Sequence, residues 1–186
     1  MKIEQIYTGC LAQGAYYIVS EKEAAIIDPL RETKPYIDRL EKDGVKLKYI
    51  FETHFHADFV SGHLDLSKKT GASIVYGPTA EPDFEAIIAE DNQVFELGDI
   101  KIKVLHTPGH TPGGCCYYIA DEGVLFSGDT LFCQSVGRSD FPGGDGMQLV
   151  WSIQEKLMGL PEDTKVYPGH MDETTIGFEK THNPFI

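Results

Sequence analysis

Short apolar runs, bounded by glycine or by charged residues, open the chain and alternate with helical stretches. Apolar and β-branched runs of this length are typical of strands. The strands predicted for the first half are residues 3–7, 15–20, 24–28, 49–53 and 73–76. A helix is predicted from Lys34, because Pro35 suits a first helical turn and Gly44 can end the helix. A second helix is predicted at residues 61–69, ended by Gly71.

The second half alternates strands and helix in the same way. Its hairpin-like spacing and short apolar runs predict strands at residues 94–97, 100–105, 115–119, 124–127 and 165–167. The acidic segment before them is irregular, and residues 84–89 are predicted to form a helical turn. Apolar residues recur every fourth position across residues 149–157, which predicts a helix capped by Asp145.

This order of elements is typical of two packed sheets with helices outside. The chain has 186 residues, of which 41% are hydrophobic, and this suits one domain with a substantial core. No linker or low-complexity stretch divides the sequence. We therefore expect an α/β fold formed by a single domain over residues 1–186.

The net charge of -13 limits the expected partners. An acidic surface attracts neither nucleic acid nor an anionic membrane, and an anionic substrate would need a local cationic patch. The sequence starts without an apolar signal region and contains no stretch that could span a bilayer, which predicts a cytoplasmic protein. The four cysteines lack Cys-x-x-Cys spacing, so we expect reduced, mostly buried thiols, with Cys115 and Cys116 facing opposite sides of a strand.

Candidate metal ligands follow the predicted strand at residues 49–53. His54, His56 and Asp58 occupy alternate positions, and at the frayed end of a strand such a ladder can turn three side chains toward one point. Three further candidates share one setting, a short apolar run beside glycine or proline: His110, Asp129 and His170. A ligand in a loop that directly follows a rigid strand is held in a defined position by that strand.

The chain resembles the metallo-β-lactamase superfamily in four motifs, which occur in that family's order: Thr53-His54-x-His56-x-Asp58, Thr107-Pro108-Gly109-His110-Thr111, Gly128-Asp129-Thr130 and Gly169-His170. The resemblance implies an αββα sandwich of two mixed β-sheets with external helices, and a metal site at one edge of the sheets. In the family the first motif usually ends in a further histidine, where this chain has Phe59. Because phenylalanine has no lone pair to donate, we expect the second metal site to be weak or empty.

The two halves resemble different branches of the superfamily. Residues 52–63 are similar to the persulfide dioxygenases of the sulfur dioxygenase branch, whereas residues 136–145 are more similar to short glyoxalase II-type hydrolases. The first resemblance implies an iron-dependent enzyme that oxidises a low-molecular-weight thiol persulfide, such as glutathione persulfide, with O2 to sulfite and thiol. The alternatives are a metal-dependent thioester hydrolase and a metal-binding fold with little catalysis. The oxygenase ranks first because it needs only one metal ion.

The two enzymatic readings assign the candidate ligands differently. For the oxygenase, the resemblance implies one Fe(II) per chain, which leaves three open positions for thiolate and O2 and is held by His54, His110 and Asp129. His56 and Asp58 would then orient ligands or water. For the hydrolase, it implies Zn(II) held by three histidines, with a second ion on the remaining groups: His54, His56 and His110, then Asp58, Asp129 and His170.

Two further residues are candidates for contact with the substrate, which is expected to be a small thiol persulfide or thioester. Arg138 matches an arginine that lies near the organic thiol in the dioxygenases, and a guanidinium suits a substrate carboxylate. An internal salt bridge with Asp140 or Asp145 is the alternative. Tyr167 could line the pocket, with core packing as its alternative. Relatives also suggest a homodimer.

Overall fold

Two six-stranded sheets organise the computed structural model, which describes residues 1–8 and 13–186. The strands of the first sheet are β1 Lys2–Thr8, β2 Gln13–Ser20, β3 Glu23–Ile27, β4 Lys46–Phe51, β5 Ser73–Tyr76 and β6 Ile87–Ile88. They are hydrogen-bonded in the order β1-β2-β3-β4-β5-β6. Strands β1 to β3 pair antiparallel and β3 to β6 pair parallel, so the sheet is mixed.

The remaining strands are β7 Val94–Leu97, β8 Ile100–His106, β9 Cys115–Ile119, β10 Val124–Gly128, β11 Leu131–Phe132, β12 Ser135–Val136, β13 Lys165–Pro168 and β14 Thr174–Thr175. The second sheet has the order β14-β13-β10-β9-β8-β7, while β11 and β12 pair only with each other. Strands β10 and β13 are parallel and the other neighbours are antiparallel. This sheet is therefore also mixed.

Helices cover the outer faces of the sheets. They are α1 Lys34–Asp43, α2 His63–Thr70, α3 Gly146–Ser152, which continues as a π-helical segment Ile153–Leu157, and α4 Ile176–His182. As predicted, α1 ends at Gly44, which has φ 63°, and α3 begins where the Asp145 side chain accepts a hydrogen bond from the Gln148 amide. Among the described residues, no helix has the length and hydropathy needed to cross a bilayer.

Strand β9 shows how the alternation of side chains builds two cores. Cys115 and Tyr117 point into the cluster between the sheets, while Cys116 and Tyr118 point into the cluster beneath α3. Because both faces are buried, the strand is a continuous apolar run. The predicted αββα sandwich and the opposite orientation of Cys115 and Cys116 are confirmed. Cys10 lies outside the described residues.

Some predicted elements were wrong or missing. The helical turn predicted at residues 84–89 is instead strand β6, in which Ile87 and Ile88 pair with the edge of the first sheet at Val75 and Tyr76. An open sheet edge offers unpaired amides and carbonyls, and pairing there outweighs a weak local helix signal. Helix α4 was not predicted. It begins at Thr175, whose hydroxyl accepts a hydrogen bond from the Phe178 amide.

Candidate metal centre

The candidate ligands follow strands whose ends meet at one edge of the sandwich. Strands β8, β10 and β13 run in the same direction, because β9 is antiparallel to both β8 and β10 and β13 is parallel to β10. His110, Asp129 and His170 lie in the loops that follow these three strands. The Cys115 amide donates a hydrogen bond to the Thr53 carbonyl at 2.9 Å, which ties this edge to the end of β4, directly before His54.

Two histidines and one carboxylate converge at this edge. The donor atoms of His54, His110 and Asp129 all lie within 4.8 Å of one another. The Nε2 atoms of His54 and His110 are 3.9 and 3.7 Å from Asp129 Oδ2. Asp129 Oδ2 is the oxygen that lies near both imidazoles, whereas Asp129 Oδ1 is buried without a hydrogen-bond partner. A Cβ on Gly169 would lie 2.4 Å from this oxygen, so only glycine fits there.

Hydrogen bonds on the far sides of the two imidazole rings fix their tautomers. His54 Nδ1 lies 2.8 Å from Thr53 Oγ1, and that hydroxyl donates to Asp28 Oδ2 at 2.8 Å. His54 Nδ1 is therefore the donor to Thr53. His110 Nδ1 donates to the Arg138 carbonyl at 2.6 Å. Both Nε2 atoms keep a lone pair directed toward Asp129, which is the arrangement that metal-ligating histidines require.

The protonation states also suit a cation. Burial lowers the pKa of His54 well below its ordinary value, which keeps the ring neutral. Burial opposes ionisation of Asp129, but the hydrogen bond with His170 and the nearby His54 and His110 outweigh it and lower the pKa of Asp129 to about 2. A carboxylate and two imidazoles form a donor set that fits a divalent metal.

His56 lies outside this group of donors. Its Nε2 atom is 3.1 Å from Asp28 Oδ1 and 3.0 Å from Glu52 Oε2, and these three side chains are almost fully buried. Burial alone would lower the pKa of His56, but the two carboxylates raise it to about 10. The Phe59 ring packs on the His56 ring with centroids 4.1 Å apart. His63 Nδ1 lies 3.2 Å from Glu52 Oε1 and extends this buried cluster.

The triad is the group formed by His54, His110 and Asp129. Asp58 and His170 lie beside this triad and are not part of it. His170 Nε2 is 3.4 Å from Asp58 Oδ2 and 3.5 Å from Asp129 Oδ2. Asp58, Asp129 and His170 are the three groups that the hydrolase hypothesis assigns to a second ion. Phe59 occupies the position of a further ligand in the motif, but its side chain packs with the outer core of the first sheet and does not line the cavity described below.

A cavity of about 300 Å³ opens over the triad. Besides the ligands, its wall contains apolar side chains to which the sequence analysis assigned no role in the site: Ala57, Phe132, Val136, Phe141 and Met171. Arg138 lines the same cavity. Its Nε and Nη2 atoms donate to the two oxygens of Asp140, each at 2.8 Å, and its guanidinium lies 4.2 Å from the Phe141 ring centroid. The alternative prediction, a salt bridge between Arg138 and Asp140, is therefore observed, while Arg138 also lies beside the cavity and its side chain remains 62% exposed.

Tyr167 has a packing role. Its ring contacts the rings of Tyr16 and Phe126, in each case with centroids 5.6 Å apart, in the core between the sheets. It is absent from the described residues that line the cavity. The suggestion that Tyr167 lines the pocket is therefore corrected. Its position in β13 turns the side chain inward, whereas the loop that follows carries the residues of the site.

Comparison with known proteins identifies the family. Residues 8–170 match the family model described as the metallo-beta-lactamase superfamily, and the chain belongs to this superfamily. It is 35% identical over 188 residues to hydroxyacylglutathione hydrolase GloC of Haemophilus influenzae, covering 89% of this chain and 88% of that protein.

Solved structures of similar proteins share the whole fold. ETHE1 from Myxococcus xanthus matches with a TM-score of 0.93 and 30% identity, covering 99% of this chain and 84% of that chain. TTHA1623, solved in a di-iron-bound form, matches with a TM-score of 0.85 and 30% identity, covering 98% of this chain and 100% of that chain. These relationships confirm the resemblance found in the sequence motifs. The superfamily contains metal-dependent enzymes of both kinds considered above.

Proposed function

We propose that this protein is a persulfide dioxygenase with one Fe(II) per chain. The observation that carries the proposal is the separation of the histidines: His54 and His110 converge with Asp129, whereas His56 is paired with buried carboxylates. Two histidines and one carboxylate on one face are typical of non-haem Fe(II) oxygenases. The resemblance of residues 52–63 to persulfide dioxygenases and the match to ETHE1 support the proposal.

The reaction converts a persulfide, O2 and water into a thiol and sulfite. The outer sulfur loses four electrons to O2, its bond to the inner sulfur breaks, and the inner sulfur leaves as the thiol. Fe(II), when bound, would supply open coordination positions for persulfide and O2. The chain contributes the ligands, with the two tautomers fixed by Thr53 and the Arg138 carbonyl. The Arg138 guanidinium, which lines the cavity and binds Asp140 through Nε and Nη2, would offer its remaining N–H donors to a substrate carboxylate.

Oxygen consumption tests this proposal. The protein is purified without oxygen, loaded with Fe(II) and mixed with glutathione persulfide in an oxygen electrode, with sulfite measured in parallel. We expect one O2 consumed per sulfite formed, above the rate of free Fe(II) and persulfide. The matched control is His110→Ala, which removes a ligand while leaving Arg138 and the apolar wall in place. Iron-replete protein that consumes no O2 would contradict the proposal.

A thioester hydrolase is the second candidate, and two observations favour it. The chain is 35% identical to a relative named as a hydroxyacylglutathione hydrolase. His170 Nε2 also lies 3.4 Å from Asp58 Oδ2 and 3.5 Å from Asp129 Oδ2, beside the triad. Hydrolysis of S-lactoylglutathione by the zinc-loaded protein, together with two zinc ions per chain, would place this function first. If neither glutathione persulfide nor S-lactoylglutathione is turned over with any metal, the third hypothesis, a metal-binding fold with little catalysis, is supported.

A further inference from the structure

Met171, directly after His170, has an unfavourable backbone conformation. Its φ of 68° lies in the left-handed region, which costs a residue with a Cβ roughly 1–2 kcal/mol relative to the right-handed region. Glycine adopts this region without the steric penalty. The Met171 side chain is 54% exposed and belongs to none of the hydrophobic clusters of the described residues. Core packing therefore does not account for a methionine at this position.

The side chain lies in the wall of the cavity over the triad. Of the large apolar side chains in the described wall, Met171 is the most exposed, whereas Phe132 is only 7% exposed and is held by its surroundings. Methionine is unbranched, has three rotatable bonds and carries a polarisable sulfur that packs well against irregular apolar groups. Met171 can therefore change rotamer over a bound molecule more freely than Phe132 can.

We infer that Met171 is a specificity-determining residue, which folds over the carbon chain next to the reacting sulfur of an organic sulfur compound. The inference rests on the proposed function in one respect, namely that such a compound enters this cavity. A persulfide and a thioester both meet that condition. The contact forms equally with bound substrate and with the transition state, so its loss should raise KM and leave kcat unchanged.

Two substitutions at this position separate the side chain from the backbone. Met171→Ala removes the side chain but keeps the Cβ, whereas Met171→Gly removes both. Both variants should raise KM about fivefold, as expected for the loss of ~40 Å² of apolar contact. Only Met171→Gly should also raise the thermal midpoint of unfolding, by about 1–3 °C. The free energy gained by relieving the backbone strain in the folded state exceeds the free energy lost because glycine makes the unfolded chain more flexible.

Glu21→Gly is the matched control. Glu21 has φ 53°, is exposed in the turn between β2 and β3, and does not line the cavity. This variant should gain stability like Met171→Gly but keep the KM of the parent protein. A rise in its KM would show that the effect at Met171 is not local to the cavity, and the inference would fail.

The measurement does not depend on which reaction the protein catalyses. KM is determined for glutathione persulfide with the iron form and for S-lactoylglutathione with the zinc form. If the parent turns over neither substrate, the proposed function fails, and the inference is tested by calorimetric titration with glutathione, which should bind more weakly to Met171→Ala. Unchanged KM values in Met171→Ala and Met171→Gly, or unchanged glutathione affinity in the second case, would overturn the inference.

Discussion

Replacement of His56 by glutamine tests the buried cluster behind the metal centre. The His56 side chain is 3% exposed and lies between Asp28 and Glu52, with its Nε2 atom 3.1 and 3.0 Å from their oxygens. Glutamine keeps a hydrogen-bond donor but removes the positive charge, so two buried carboxylates lose their shared cation. Breaking a buried ion pair by removing one partner costs about 3–5 kcal/mol. We expect His56→Gln to lower the free energy of unfolding by that amount.

Two assays on the same variant separate stability from metal binding. Urea unfolding of metal-free protein at neutral pH gives the loss of stability, and elemental analysis of protein reconstituted with Fe(II) gives the metal content. On the proposed function His56 is not a ligand, so the folded variant should still hold about one iron per chain, as a three-ligand site predicts. Glu52→Gln is the matched control, because it disturbs the same cluster and is a ligand in neither reading.

Two results would refute this reasoning. A loss of stability below about 1 kcal/mol would show that His56 is not the cation for the buried carboxylates, since exposed or weak pairs contribute that little. Loss of metal in His56→Gln with full metal content in Glu52→Gln would show that His56 is a ligand. The second result would favour the hydrolase.

Three further predictions follow from the site. His110→Ala should abolish iron binding, whereas His170→Ala should retain about one iron per chain by elemental analysis, because only the former is in the triad. Thr53→Val should weaken iron affinity about 10–100-fold in a competition titration with a chelator, because it loses the hydroxyl that fixes the imidazole of His54, and Thr53→Ser should restore it. Because the pKa of His56 is raised from 6.5 to about 10, its contribution to stability is complete below pH 6.5 and is lost as the pH rises through about 10. Urea unfolding across this range should show a steeper decline in the parent than in His56→Gln, because buried thiols such as Cys116, whose pKa is also raised by burial, titrate in both proteins.

The sequence predicted the parts of this structure that depend on short-range patterns. Continuous apolar runs such as residues 115–119 can only be buried on both faces, and they identified the inner strands of the sandwich. The ligands were found because each combines a polar side chain with a strand end and a glycine or proline. Parallel strand ends meet at one edge, and this brought His110 and Asp129 together as expected.

The sequence could not predict features that depend on contacts between distant segments. Tyr167 stands directly before the last motif, but whether a strand residue points inward or toward a pocket depends on the register of β13. Strand β6 exists because the edge of β5 is open to pairing. The sequence showed Met171 where the resembled hydrolases usually have glycine, but its exposure, its backbone conformation and its place in the cavity arise from the folded loop.

The orientation of His56 is the feature that separates the two enzymatic readings, and it follows from charge. Asp28 and Glu52 are buried, and the hydrogen bonds to His56 compensate their negative charge. Turning His56 toward the metal would leave these carboxylates without that partner, at a cost of about 3–5 kcal/mol, before any gain from a fourth ligand. Phe59 packs on the His56 ring and adds apolar contact to the observed orientation. The chain supplies the three histidines that a zinc site of three imidazoles requires, but Asp28 and Glu52 bind His56, so that only His54 and His110 lie with Asp129.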